Sequence, residues 1–351
     1  MQIPAARPSL VRPILWANLV GEVAIVVTGG VVRLTGSGLG CTTWPECVPG
    51  SFTPVPHQEQ GFHKLIEFGN RTLTGVVGLL ALAALWVVWT RLRSRRPLLP
   101  VAVGLVLGVL LQAVVGGITV RTGLNPFLVA FHFLLSMVMV MLATVLLRGA
   151  DPVDGAADEP VEGLVGSVDG LVGSVEGLVG SVDRWRADGR VAVLVRRLGW
   201  VTSAVAGVVL VLGTVVTGSG PHSGDALQPA RTGFDPRFVS WVHADAVMLF
   251  VGLVVAMLVA VHLSTRSPAT RSAWRVVLVV TLAQGLVGYV QYFTGLPEIL
   301  VGVHMLGATL LVVTLTTGML RLPGRLSGDP INGPYARGRS SREGPVSRVT
   351  R

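Results

Sequence analysis

Four histidines of this chain, His63, His132, His243 and His304, stand at the start of apolar segments and not in polar loops. Ionisable side chains at membrane depth are costly, so each is a candidate for function. At 1.5 Å of rise per residue, a histidine about six positions into a helix sits roughly 9 Å below its end. Four segments therefore offer an imidazole at similar depth, whereas His57 and His222 fall in loops and His262 lies at the far end of its segment. Imidazoles facing one another across a helix bundle can hold a haem iron from both sides, and His243 with His304 are placed to do so. Zinc suits the pair less well, because no thiolate or carboxylate accompanies them within the apolar segments and a closed zinc site takes four ligands. The plain alternative is a histidine that packs and hydrogen-bonds within the bundle.

The first half of the chain offers a different set. In HKLIEFGNRT, residues 63–72, His63, Glu67 and Asn70 are spaced i, i+4 and i+7 and share one helix face, which can look toward His132. An imidazole, a carboxylate and an amide beside a histidine suit acid-base chemistry or charge stabilisation next to a substrate. Glu67 could equally be a buried acid paired with Arg71 or Arg33. Asn70 is a poor iron ligand, so the two halves are not equivalent.

Cys41 and Cys47, the only cysteines, sit in CTTWPEC. On an oxidising face they would close a local disulfide, and a redox-active pair is the other reading. Arg33 and Arg121 begin loops beside the histidine layer. Their guanidinium forks suit carboxylates such as haem propionates, or they anchor the helices at the membrane surface.

The elements that must position these residues follow from the apolar runs. Of 351 residues, 51% are hydrophobic and 13% charged, and several runs reach the roughly 20 residues that span a bilayer. Eight spans are expected, at 14–33, 64–90, 98–119, 126–148, 194–216, 238–263, 274–293 and 297–320. The first carries Glu22 and is long enough to span, so it is read as a retained helix and not a cleaved signal. The formal charge of +9 reflects 27 Arg and one Lys against 19 acids. These arginines cluster in alternate loops, with Arg91, Arg93, Arg95 and Arg96 after the second span and Arg266, Arg271 and Arg275 between the sixth and seventh. That pattern reports topology, with both termini cytoplasmic and the histidine layer toward the outer face, and it argues against a nucleic-acid partner.

The halves repeat. TGSG at 35–38 recurs at 217–220. LQAVVGGITVRTGLNPFLVAFH ending at His132 matches AQGLVGYVQYFTGLPEILVGVH ending at His304, and SWVHAD around His243 matches IEFGNR around Asn70. The expected fold is an all-α integral membrane protein of eight transmembrane helices, arranged as two pseudo-twofold-related four-helix bundles. Residues 1–148 form the first unit and 194–323 the second. Residues 149–193, with an acidic, glycine-rich heptad repeated three times over 161–183, read as a flexible cytoplasmic linker. The basic tail at 324–351 reads as disordered.

These residues resemble the haem A synthase family. GGVVRLTGSGLGCTTWPEC at 29–47 looks like its first-loop signature with paired cysteines, and IEFGNR at 66–71 looks like its E-x-x-H-R motif, with Asn70 in the place of the histidine. The resemblance covers 14–320 apart from the linker. It implies a membrane oxidoreductase that converts the C8 methyl of haem O to the formyl group of haem A. It implies a haem b cofactor between His243 and His304, and haem O received near Glu67, Asn70 and His132. Where the family histidine is missing, His63 takes over or His132 holds the site alone. Partners then include haem O, membrane lipid, the enzyme that supplies haem O and an electron acceptor. A dihaem b-type electron carrier is the alternative, although it gives Glu67 no task and predicts symmetric ligation. A haem or small-molecule transporter fits less well, because the even spans lack mid-membrane Gly/Pro breaks.

Overall fold

The computed structural model describes residues 5–95, 97–151, 189–222, 224–225 and 229–322. After a 3-10 turn at Pro8–Leu10 come eight helices: α1 (Val11–Leu34), α2 (His63–Arg91), α3 (Leu98–Arg121), α4 (Pro126–Gly149), α5 (Gly189–Ser219), α6 (Pro236–Ser264), α7 (Pro268–Phe293) and α8 (Glu298–Leu320). All eight are long and apolar enough to cross a membrane, so the chain is a multi-pass membrane protein. The expected linker core with its heptads, and the expected tail, lie outside the described residues. Residues 189–193, at the expected linker's end, already belong to α5.

Helix starts are written locally. Asn125 accepts from the Phe127 N–H at 3.0 Å and Asp235 from the Phe238 N–H at 2.7 Å, each followed by a proline at the first helical position. Ser267 and Pro268 do the same for α7, which therefore begins one and a half turns before the expected 274. Arg271 and Arg275 interrupt the apolar count there and hide the first turn.

The repeat is present in the backbone. In both Thr-Gly-Leu turns the glycine and the leucine are left-handed, with φ of 60° and 58° at Gly123 and Leu124 and 78° and 60° at Gly295 and Leu296. The leucine N–H closes each turn, Leu124 on the Thr119 carbonyl at 2.8 Å and Leu296 on the Gln291 carbonyl at 2.7 Å. Left-handed leucine is uncommon, so its recurrence marks one structural unit used twice.

In the first half, α1 packs on α2, α2 on α3, α3 on α4, and α4 closes back on α1. In the second, α5, α6, α7 and α8 pack in sequence, but α5 barely meets α8. The halves join where α1 and α4 pack on α8 and α4 on α5. Small residues let helices approach where lipid offers no hydrophobic drive. A Cβ on Gly108 would lie 2.2 Å from Met139 Sδ, and one on Gly149 would lie 2.5 Å from Leu98 Cδ2.

Each half has its own apolar core, and both cores sit at the same end of the helices. Leu15, Leu19, Ala84, Leu105 and Leu147 belong to the first. Phe250, Met257, Trp274 and Leu315 belong to the second. The opposite end, where the even-numbered helices begin, carries the histidines.

Candidate functional site: a layer of histidines facing glycines

His243 on α6 lies against Gly213 of α5, where an added Cβ would stand 3.3 Å from the ring Cε1. His304 on α8 lies in the same way against Gly288 of α7, at 3.4 Å. His243 Nδ1 is buried without a hydrogen-bond partner. His304 Nδ1 is also buried and unpaired, and Gln284 Nε2 holds the His304 carbonyl at 2.9 Å.

The first half repeats the arrangement with one change. His132 on α4 lies against Gly116 of α3, at 3.3 Å from Cε1, and its Nδ1 is buried without a partner. Gln112 Nε2 donates to the His132 carbonyl at 3.2 Å and to Ser136 Oγ at 2.7 Å. Opposite Gly29 of α1, however, stands Asn70, whose Nδ2 would be 3.9 Å from an added Cβ. The Thr28 hydroxyl donates to Asn70 Oδ1 at 2.7 Å. Four helix pairs thus present one glycine each to three imidazoles and one amide.

Glu67 lies one turn nearer the loop end of α2 and is buried. Its Oε1 accepts from Arg71 Nη2 at 2.6 Å and Nε at 3.1 Å, and its Oε2 accepts from the Cys41 N–H at 2.6 Å. Arg71 also donates to the Glu46 and Cys41 carbonyls at 3.2 and 3.4 Å. Cys41 and Cys47 are joined, S–S 2.08 Å, so the pair Glu67 and Arg71 clamps a closed loop onto α2. His63, the first residue of α2, stacks on Phe62 at 4.2 Å and bonds Ser37 Oγ through Nδ1 at 2.8 Å. The loop runs so close to α2 that a Cβ on Gly40 would lie 2.4 Å from the His63 carbonyl oxygen, so only glycine fits there.

Arg33, in the last turn of α1, reaches across the molecule. Arg33 donates to the His222 carbonyl at 2.8 Å and the Thr217 carbonyl at 3.1 Å, both in the second half. His222 Nε2 bonds the Leu296 carbonyl at 2.9 Å in the α7–α8 turn. The Gly38 N–H donates to the Gly224 carbonyl at 2.9 Å, and Ser37 bridges to Asp225. Arg121 is the exposed last residue of α3.

The structure therefore sets His243 and His304 each against a glycine of the preceding helix, ties Glu67 to Arg71 and the disulfide loop, and places His63 on Ser37. Sequence reading missed Thr28 and the four glycines. For two of those a signal existed: Gln112, Gly116, His132 and Gln284, Gly288, His304 share one spacing.

The fold and this layer define a membrane protein whose described residues hold eight membrane-crossing helices with a layer of histidines and one asparagine, each set against a glycine. The uncommitted imidazole nitrogens and the glycine-cleared space beside the rings fit a haem group. Residues 12–166 match the sequence profile of the COX15-CtaA family, described as cytochrome oxidase assembly protein. Over 132 residues the chain is 36% identical to the haem A synthase of Bacillus licheniformis, covering 36% of this chain and 42% of that protein. It is 33% identical over 127 residues to that of Listeria welshimeri, 35% of this chain and 41% of the other. With that of Lysinibacillus sphaericus it shares 32% over 143 residues, 38% and 44% of the two chains. The chain thus matches about two-fifths of the length of these relatives. Over that region it is related to haem A synthases.

Proposed function

We propose that the chain is a haem A synthase that oxidises the C8 methyl of haem O to a formyl group in two two-electron stages, alcohol and then aldehyde, with water supplying the oxygen atom and an external electron acceptor taking two electrons, with two protons released, at each stage. The observation that carries this reading is the asymmetry of two otherwise matching sites. The second half offers two imidazoles, His243 and His304, while the first offers His132 with an amide and a fixed carboxylate. One half is then built to hold a cofactor and the other to act on a substrate.

The second site would hold haem b, which supplies electron-transfer chemistry when bound. His243 and His304 orient it, and Gly213 and Gly288 keep room for their rings. In the first site His132 holds the substrate. Glu67, kept in place by Arg71 and the Cys41 N–H, steadies positive charge developing near the methyl carbon or moves its proton. His63 and Asn70 line the same face of α2. Arg33 and Arg121 stand at the loop end, where propionates would lie. The two halves are read as related by a twofold axis along the membrane normal. Both termini lie in the cytoplasm and both haem sites face outward in the plasma membrane, where the chain would receive haem O from the enzyme that makes it.

The test is expression in a host that makes haem O but lacks its own haem A synthase, followed by extraction and chromatography of the non-covalent haems. Haem A or its hydroxylated precursor is expected, and Glu67→Gln should lower their yield about 100-fold, the scale on which a positioned acid-base group contributes. Haem b alone, from folded protein in cells containing haem O, would instead establish a dihaem electron carrier.

A further inference from the structure

We infer that the first site holds its haem through His132 alone and leaves the opposite axial face open to a small exogenous ligand, with the Asn70 amide, set by Thr28, as the hydrogen-bond donor beside that face. This rests on the function proposed above.

The amide offers iron only its oxygen, because the nitrogen lone pair is delocalised. That oxygen is already engaged by the Thr28 hydroxyl at 2.7 Å, which also reaches the Ile25 carbonyl at 3.2 Å. With Oδ1 turned to Thr28, Nδ2 is the atom left to face the site. It brings two N–H donors and no lone pair. Gly29 leaves space beside Nδ2, as the other three glycines do beside imidazoles.

Of the other α2 side chains on this face, Glu67 is committed and His63 stands too far along the helix. Both Glu67 oxygens are taken by Arg71 and the Cys41 N–H. His63 stands seven residues before Asn70, roughly 10 Å along the helix axis. Its Nδ1 bonds Ser37 and its ring lies on Phe62. Opposite His132, then, α2 supplies a donor where α6 supplies an imidazole to the second site. The ligand that suits this face is of diatomic or water size, with a lone pair for iron and an acceptor atom for Nδ2.

The test uses the full-length chain loaded with haem O, and reads the oxidised protein by absorption and low-temperature electron paramagnetic resonance during titration with azide. Two populations are expected, one low-spin and indifferent to azide, the other high-spin and converted by it. Asn70→His should turn the second population low-spin and abolish the azide response. Thr28→Val should weaken azide binding about tenfold, the scale of one net hydrogen bond, while Thr28→Ser keeps it. A merely structural role for Thr28 would leave azide affinity unchanged, and that result would overturn its positioning role. If both haems are low-spin and silent to azide in the unaltered protein, the open face does not exist although turnover stands. A high-spin signal created by His63→Ala would then name His63 as the second ligand. If the chain takes up no second haem at all, the functional reading itself fails and this inference goes with it.

Discussion

Glu67 shows what a single residue can and cannot disclose. Its place on a face with His63 and Asn70 is legible from spacing, and so is the choice of Arg71 or Arg33 as its partner. The choice falls on Arg71 because an i, i+4 pair is made by one helix alone. Arg33 is unavailable for a reason no local reading contains, since its acceptors lie 184 and 189 residues away. The pair is largely buried, with side-chain exposures of 21% for Arg71 and 7% for Glu67. Removing one partner of a buried pair strands the other charge, at a cost of about 3 kcal/mol. Arg71→Met should therefore lower the unfolding midpoint in detergent, and adding Glu67→Gln to it should restore most of the loss. An Arg71→Met variant as stable as the parent would mean that the Cys41 N–H suffices to hold the carboxylate.

At the scale of elements, the eight helices were readable because length and hydropathy alone decide what can span a membrane. The starts after Asn125 and Asp235 were readable to within two residues, but the one after Ser267 was not, because Arg271 and Arg275 interrupt its apolar run. The glycine cradles were not, because a glycine inside an apolar run looks the same whether it faces lipid, a large side chain or an imidazole. Only packing between helices distinguishes Gly288, whose Cβ would press on His304, from Gly285, which has nothing within 4 Å. Two substitutions three residues apart should thus behave differently. Gly288→Val should displace the His304 ring and lower the haem retained by the second half severalfold in pyridine haemochrome assays. Gly285→Val should retain the parental amount. Equal retention in both would show that the ring finds its place without the cradle.

Among the described residues, the two halves meet through helix packing and through the loops at the histidine end. α1 and α4 pack on α8, Arg33 ties the end of α1 to Thr217 and His222, and Gly38 docks on Gly224. Deleting 155–183 should accordingly leave both haem content and product yield at the parental level, measured on the same membranes. Loss of either would assign the acidic heptads a role in assembly. One feature of the half-to-half junction bears on how the sites would communicate. On α1, Gly29 faces Asn70 in the first site, and the next residue, Gly30, admits Met305, the neighbour of His304 in the second, with its Cε 2.9 Å from an added Cβ. At this level α1 therefore carries no side chain at the two positions that meet Asn70 and Met305. Electron tunnelling falls off exponentially with the thickness crossed, so consecutive glycines here thin the part of α1 that electrons would cross between the two proposed sites.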